Sequence, residues 1–345
     1  MENFLKEPNK DELRQLASRI LSESETCIRI SYTPDDLIFA FLVLKYGKQN
    51  SISFTSNECK IELITNDAGK IIKINNQQFY IGRNAFTSIF PVSTDDVLPI
   101  LAGITTSMIL ERRNYTELEL DIINNDLVKL GVITEKNLKI PNYKSLPLFF
   151  SLMLSFDPYI PEVTGNRENS IKMLKEINIS ETDRLEDIDE AKLNSLVYKI
   201  ISNTLKINPR FSRENLITDR AYYLEYDSLE LALSLIYFLD LKGSGDLFQF
   251  TISPNYAETI IYKFRDELSK GFFIKNVEET NNYYIVETNL KSPLLIQLIL
   301  LQMNKIKRNK PIIIKLPEGF FTSRTQVLKI KEGLNKVEDL NKGNL

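Results

Sequence analysis

Apolar Leu13, Leu16, Ile20 and Leu21 recur at helical spacing over residues 10–22, and the chain then alternates like a short strand over 26–31. Thr33-Pro34-Asp35-Asp36 follows, opening an apolar run over 37–44 that ends at Gly47. This pattern predicts a helix with Thr33 as N-cap, Pro34 in the first helical position, carboxylates at the positive end of the dipole and glycine past the C-terminus. Strand candidates come next over 51–55, 61–65 and 70–74, with 79–81 as a further one. The turn residues Asn66-Asp67-Ala68-Gly69 separate the second from the third. Residues 95–112 read as helix. Thr116-Glu117-Leu118-Glu119 has the form of a capping box and opens a helix that stops near Gly131. Residues 147–155 are apolar on nearly every side and predict a buried helix, and 167–176 are amphipathic.

The rhythm changes after residues 180–190, the most charged stretch of the chain. Leu193, Val197, Ile200, Ile201 and Leu205 mark a long helix there, and the inter-domain connection is placed here. Beyond it the pattern predicts strand 216–226, helix 228–241, strand 247–252, helix 255–270, strands 272–278 and 283–288, helix 293–305, and strands 312–316 and 321–326. Ser253-Pro254 caps the helix over 255–270 and Gly271 ends it. The result is a small sheet with helices packed on it, with no repeat at solenoid periods.

With 345 residues the chain is long for a single core, so two domains are the default. Its 43% hydrophobic and 26% charged residues are ordinary for a globular protein, and disorder is expected only in the tail after Gly333. A formal charge of −3 gives no global attraction to nucleic acid or anionic membrane, so any DNA contact must be local. Cys27 and Cys59 are too few for a disulfide framework or a zinc site and lie in apolar, strand-like runs, where reduced core residues are expected. Neither a signal sequence nor a run of about 18 apolar residues is present, so a soluble cytoplasmic protein is expected.

The chain contains no histidine. That removes imidazole triads, His-ligated zinc and the usual general base near neutral pH. There is no phosphate loop, and Gly243-Ser244-Gly245 lies between a predicted helix and a strand, the reverse of the order a dinucleotide fingerprint needs; it reads as a turn. Asp35 and Asp36 could hold Mg²⁺ or Mn²⁺, but neighbours on a helix point about 100° apart, so helix capping accounts for the pair better. The acidic run Glu181 to Glu190 reads as a solvated linker face or as a docking surface for a basic partner. Lys305, Lys307, Arg308 and Lys310, with Arg324 close behind, complement a helix dipole or contact phosphate.

Several stretches resemble the archaeal RecJ-like branch of the DHH phosphoesterase superfamily. Leu130-Gly131-Val132-Ile133, Leu146-Pro147-Leu148, the run Ser155-Phe156-Asp157-Pro158-Tyr159-Ile160-Pro161-Glu162-Val163-Thr164-Gly165 and Leu174-Lys175-Glu176-Ile177 are similar to the family's SxDPYIPGxxG segment and its flanks. Lys310-Pro311-Ile312-Ile313-Ile314, Thr322-Ser323-Arg324-Thr325 and Lys331-Glu332-Gly333-Leu334 resemble the run of its C-terminal DHHA1 domain. The catalytic motifs depart from the pattern. The family's His-x-Asp-x-Asp-Gly falls on residues 32–37, where Tyr32, Pro34 and Leu37 replace three positions and Asp36 alone matches a metal ligand. The Asp-His-His motif has no counterpart, and Ser107 stands where the later Gly-Asp motif has its aspartate. A two-metal phosphoesterase needs those groups to hold both ions.

The resemblance implies an α/β fold, an N-terminal DHH-type parallel-sheet domain followed by a smaller DHHA1-like α/β domain. Their expected bounds are 1–188 and 210–345, joined by a connecting helix over 189–209, with a disordered tail after about 335. It implies no catalysis, with Tyr32, Pro34, Asp36 and Ser107 vestigial, and no cofactor or metal. The precedent is the inactivated RecJ-like subunit of the CMG replicative helicase, the cell-division-cycle protein forty-five, which binds GINS and the MCM ring. The implied partners are therefore GINS, MCM through GINS, and single-stranded DNA, the last touching Ser323, Arg324, Lys307 and Arg308, with a nucleoid-associated location. The alternatives are a single-strand 5′–3′ exonuclease with an atypical metal site and a plain single-stranded-DNA-binding module.

Overall fold

A computed structural model describes residues 8–23, 27–49, 51–55, 58–307 and 310–338. The chain forms two compact units, each assembled from separated segments. One comprises Met1–Thr134, Ala221–Ser228 and Ser244–Ala257, and the other Glu135–Arg220, Leu229–Gly243 and Glu258–Leu345.

The first unit opens with α1 (Lys10–Ser22), β1 (Cys27–Arg29), α2 (Pro34–Tyr46), β2 (Ser51–Ser53), β3 (Ile61–Asn66), β4 (Gly69–Ile74) and β5 (Gln77–Gly82). Its sheet has the order β2-β1-β3-β4-β5. β1 runs parallel to β2 and β3, while the hairpins β3–β4 and β4–β5 are antiparallel. The parallel part needs a crossover, and α2 supplies it between β1 and β2. A 3₁₀ turn, Phe86–Ile89, leads to α3 (Val97–Glu111) and α4 (Glu117–Asp121). Both α2 and α3 are apolar almost all round and buried along most of their length. Phe39 packs edge-on to Phe86, with ring centroids 6.0 Å apart, and lies 5.1 Å from Phe90. α3 approaches the 3₁₀ turn closely because Gly103 has no side chain: a Cβ there would come 2.5 Å from Thr87 Cγ2.

Cys27 and Cys59 are joined by a disulfide, with Cα atoms 4.8 Å apart, which overturns the expectation of two reduced thiols. Parallel pairing of β1 with β3, Ile28 opposite Ile61, brings Cys27, which opens β1, beside Cys59, two residues before β3. Spacing along the chain does not reveal that pairing.

The chain continues through β6 (Val132–Leu138), α5 (Leu148–Met153), α6 (Arg167–Lys175), α7 (Glu190–Leu205), α8 (Arg213–Leu216), β7 (Ile217–Tyr223), β8 (Tyr226–Asp227) and α9 (Ser228–Lys242). A three-stranded sheet has the order β6-β7-β8. α7, at the expected inter-domain connection, buries Leu196, Val197 and Ile200 in one cluster with Leu148, Leu152 and Leu174. The strand predicted over 247–252 is instead helix α10 (Gly245–Ile252), which buries Leu247, Phe250 and Thr251 at helical spacing. Gly243-Ser244-Gly245 is a turn, but it joins two helices.

The second unit ends with α11 (Ala257–Ser269), β9 (Ile274–Glu279), β10 (Tyr284–Thr288), α12 (Pro293–Gln302), β11 (Ile312–Leu316), β12 (Gly319–Ser323) and β13 (Leu334–Lys336). The sheet order is β13-β12-β11-β10-β9, and only β10 and β11, linked through α12, are parallel. β13 pairs with β12 where a disordered tail is expected to begin; 339–345 lie outside the described residues. The recognisable run 155–165 is a clasp within this unit. Gln302 accepts from the Tyr159 N–H at 2.8 Å and donates to the Phe156 carbonyl at 2.6 Å. Phe156 stacks on Phe272 at 5.4 Å, and a Cβ on Gly165 (φ +76°) would strike that same ring.

Candidate functional site

After β1 the chain turns into α2 at Thr33, whose hydroxyl oxygen accepts from the Asp36 N–H at 3.3 Å. Asp36 is buried and folded back on the turn: Oδ2 accepts from the Ser31 N–H at 3.0 Å and Oδ1 from the Thr33 hydroxyl at 2.7 Å. Burial pushes its pKa up to about 7, and the charge of Asp35 adds to the rise against the opposing pull of Thr33, Lys70 and Ser31. Asp35 looks the other way. Its Oδ1 accepts from the Thr87 N–H at 3.1 Å and hydroxyl at 2.8 Å, and its Oδ2 from the Phe86 N–H at 2.8 Å.

The fourth donor to Asp35 is Lys70 on β4, whose ammonium lies 3.2 Å from Oδ2. Lys70 is almost fully buried. It also donates to Ser107 Oγ at 2.7 Å and sits 2.8 Å from Glu111 Oε1, both on α3. Burial alone would pull the ammonium's pKa down, but the carboxylates of Asp35 and Glu111 outweigh it and hold the value above the ordinary lysine range. Ser107 donates onward to Glu111 Oε1 at 2.8 Å. Arg113 closes the network, with Nε 2.9 Å from Glu111 Oε2 and two donors on the fully buried Glu119 at 2.6 and 2.8 Å. Glu119 also accepts from the Ala85 and Thr116 N–H groups at 2.7 and 2.9 Å. Burial raises the Glu111 carboxyl, but Lys70 and Arg113 together hold it below the usual range.

Of the four vestigial positions, Ser107 is bonded into this cluster, while Asp36 is bonded to its own turn. Pro34 serves as the first helical residue of α2, and the Tyr32 ring packs edge-on to Phe54 at 5.4 Å. The two-metal centre of an active DHH phosphoesterase does not fit these residues. Asp36 has both oxygens turned to Ser31 and Thr33, Ser107 is engaged by an ammonium, and the centre holds a cation of the protein's own. Among the described residues no three His, Cys, Asp or Glu side chains are grouped to hold a metal ion. Sequence reasoning missed Lys70, Glu111, Arg113 and Glu119.

The expected nucleic-acid residues differ in their surroundings. Ser323 is fully buried and donates to Asp240 Oδ1 at 2.6 Å, so its hydroxyl is spent inside the fold. Asp240 also accepts from the Thr325 hydroxyl at 2.5 Å and from the Ser292 hydroxyl and Leu294 N–H, each at 2.7 Å; burial raises its pKa. Arg324 is half-buried, bonded to the Leu328 carbonyl at 3.2 Å and 3.5 Å from Glu332 Oε1. Lys305 and Lys307 are exposed beyond α12, Lys310 pairs with Glu279 at 2.5 Å, and Arg308 lies outside the described residues. Among the described residues no helix is long and apolar enough to cross a membrane.

Comparison with curated proteins returns no match. Among solved structures, the crystal structure of CDC45 from Entamoeba histolytica is similar with a TM-score of 0.52 at 10% identity, covering 93% of this chain and 90% of that one; at that identity the likeness establishes the fold. The family model for archaeal Cdc45 matches residues 1–340, and the chain belongs to that family.

Proposed function

We propose that this protein is a non-catalytic subunit of the archaeal replicative helicase, binding GINS and through it the MCM ring at the replication fork on the nucleoid. The observation that carries the reading is the Lys70 ammonium among Asp35, Ser107 and Glu111, at 3.2, 2.7 and 2.8 Å. An ammonium there cannot ionise a water or bridge two phosphate oxygens as a catalytic ion does. A member of the archaeal Cdc45 family whose site is filled in this way is kept for its surface. A stable partner contact requires about 1,200–2,000 Å² of buried area.

The test mixes the purified chain with GINS at micromolar concentration. Co-elution, together with no cleavage of single-stranded DNA or RNA in Mg²⁺ or Mn²⁺, is the expected result. No co-elution would end the scaffold reading, and metal-dependent cleavage lost in Asp36→Ala would put an exonuclease in its place. Single-strand contact is assigned to Lys307, Arg308 and Arg324. Ser323 keeps only an indirect role, holding the start of the loop that carries Arg324 through its bond to Asp240.

A further inference from the structure

Asp35, Glu111 and Glu119 are carboxylates of one network, and the cations within it are Lys70 and Arg113. Their roles differ. Arg113 is forked onto Glu119 and Glu111 and also donates to Ser107 at 3.1 Å, but among the bonds described it does not reach Asp35 on α2. Lys70 stands between elements: Asp35 belongs to α2, Ser107 and Glu111 to α3, and the ammonium that touches all three comes from β4. Its three contacts are oxygens, two of them on carboxylates, and it lies 5.2 Å from the Phe86 ring centroid, so the site is closed by an aromatic face. Hard oxygen donors drawn from separate elements around one positive charge are also what a divalent ion gathers.

We propose that Lys70 is the resident, covalently tethered cation of this site: its ammonium does for Asp35, Ser107 and Glu111 what a divalent ion would otherwise do, so the cluster is closed to Mn²⁺ until that ammonium is removed. Lysine reaches the centre along its own stem from β4, and the occupant can be neither chelated nor exchanged. Cohesion between α2, α3 and β4 is therefore independent of metal supply. The inference rests on the non-catalytic reading for its setting only, since failure to co-elute with GINS would leave it standing.

The test is thermal unfolding of metal-stripped protein with and without millimolar Mn²⁺ alone. The wild-type Tm should not respond. Lys70→Ala should lower Tm by on the order of 10 °C, because buried Asp35 loses its ion pair. Mn²⁺ should restore several degrees to that variant. Adding Glu111→Gln should abolish the Mn²⁺ response of Lys70→Ala, by removing one of the two carboxylates that would hold the ion. A wild-type Tm that rises with Mn²⁺ and loses the rise in Glu111→Gln would overturn the proposal, as would a Lys70→Ala Tm that neither falls nor responds to Mn²⁺. If Lys70→Ala yields no folded protein, the same titration is run on Lys70→Ser: a Tm that rises with Mn²⁺ supports the proposal and one that does not respond rejects it.

Discussion

Thr87 stands directly against Gly103, so that a Cβ on Gly103 would lie 2.9 Å from Thr87 Cβ and 2.5 Å from its Cγ2. The missing side chain in the middle of α3 is what lets the Thr87 hydroxyl and N–H both reach Asp35. Gly103→Ala should push Thr87 away and leave a buried carboxylate short of donors, costing about 2–4 kcal/mol. Urea unfolding checks this.

Asp36 gives stability a pH dependence of definite sign. Its folded pKa of about 7 lies above the ordinary 3.8. Between those values the folded chain holds a proton that the unfolded chain has released, so stability falls as pH rises from about 4 to about 7 and is flat beyond. The loss is on the order of a few kcal/mol. In Asp36→Asn the unfolding free energy measured across that window should lose this downward slope. An unchanged slope would mean that Asp36 is ionised throughout.

The disulfide closes a sequence separation of 32 residues. Reduction, or Cys27→Ser with Cys59→Ser, should lower stability by about 3–4 kcal/mol through the freedom returned to the unfolded chain. Denaturant titration with and without reductant is the measurement. Two coincident curves would remove the bond from the stability of this fold.

For single-stranded DNA, Lys307→Ala and Arg324→Ala should each weaken binding and reduce the slope of log affinity against log salt by about 1. Ser323→Ala should leave that slope unchanged and instead cost about 1–2 kcal/mol of stability, since Asp240 loses one of its donors. A flatter salt slope in Ser323→Ala, at unchanged stability, would return Ser323 to the surface.

Much of this molecule can be read from local signals. Thr33, Pro34 and Gly47 mark the bounds of α2, and Thr116 with Glu119 forms the expected capping box. Where one short apolar run fits two periods, reading fails: 247–252 holds β-favouring Phe and Ile, yet Leu247, Phe250 and Thr251 face the core at spacings of three and four. β6 was missed because Thr134 to Asn137 are all polar. Lys70 did carry a usable signal, as strand alternation sets it in phase with the buried Ile72 and Ile74. What alternation cannot show is which carboxylates wait on that face, because Asp35 and Glu111 arrive from other parts of the chain. The clasp over 155–165 was recognisable as sequence, but its closure on Gln302 depends on α12, which follows well over a hundred residues later.

The dependence of α2 on α10 has a consequence for synthesis. Phe41 is covered in part by Phe248, whose ring lies 5.2 Å away, and α10 is the element packed along that part of α2. At translation rates of about 5–20 residues per second, α10 emerges roughly 10–40 s after α2. During that interval the nascent chain carries a very apolar helix without its final cover. The ribosome-bound intermediate, rather than the finished protein, is then the species most exposed to aggregation and most in need of a chaperone.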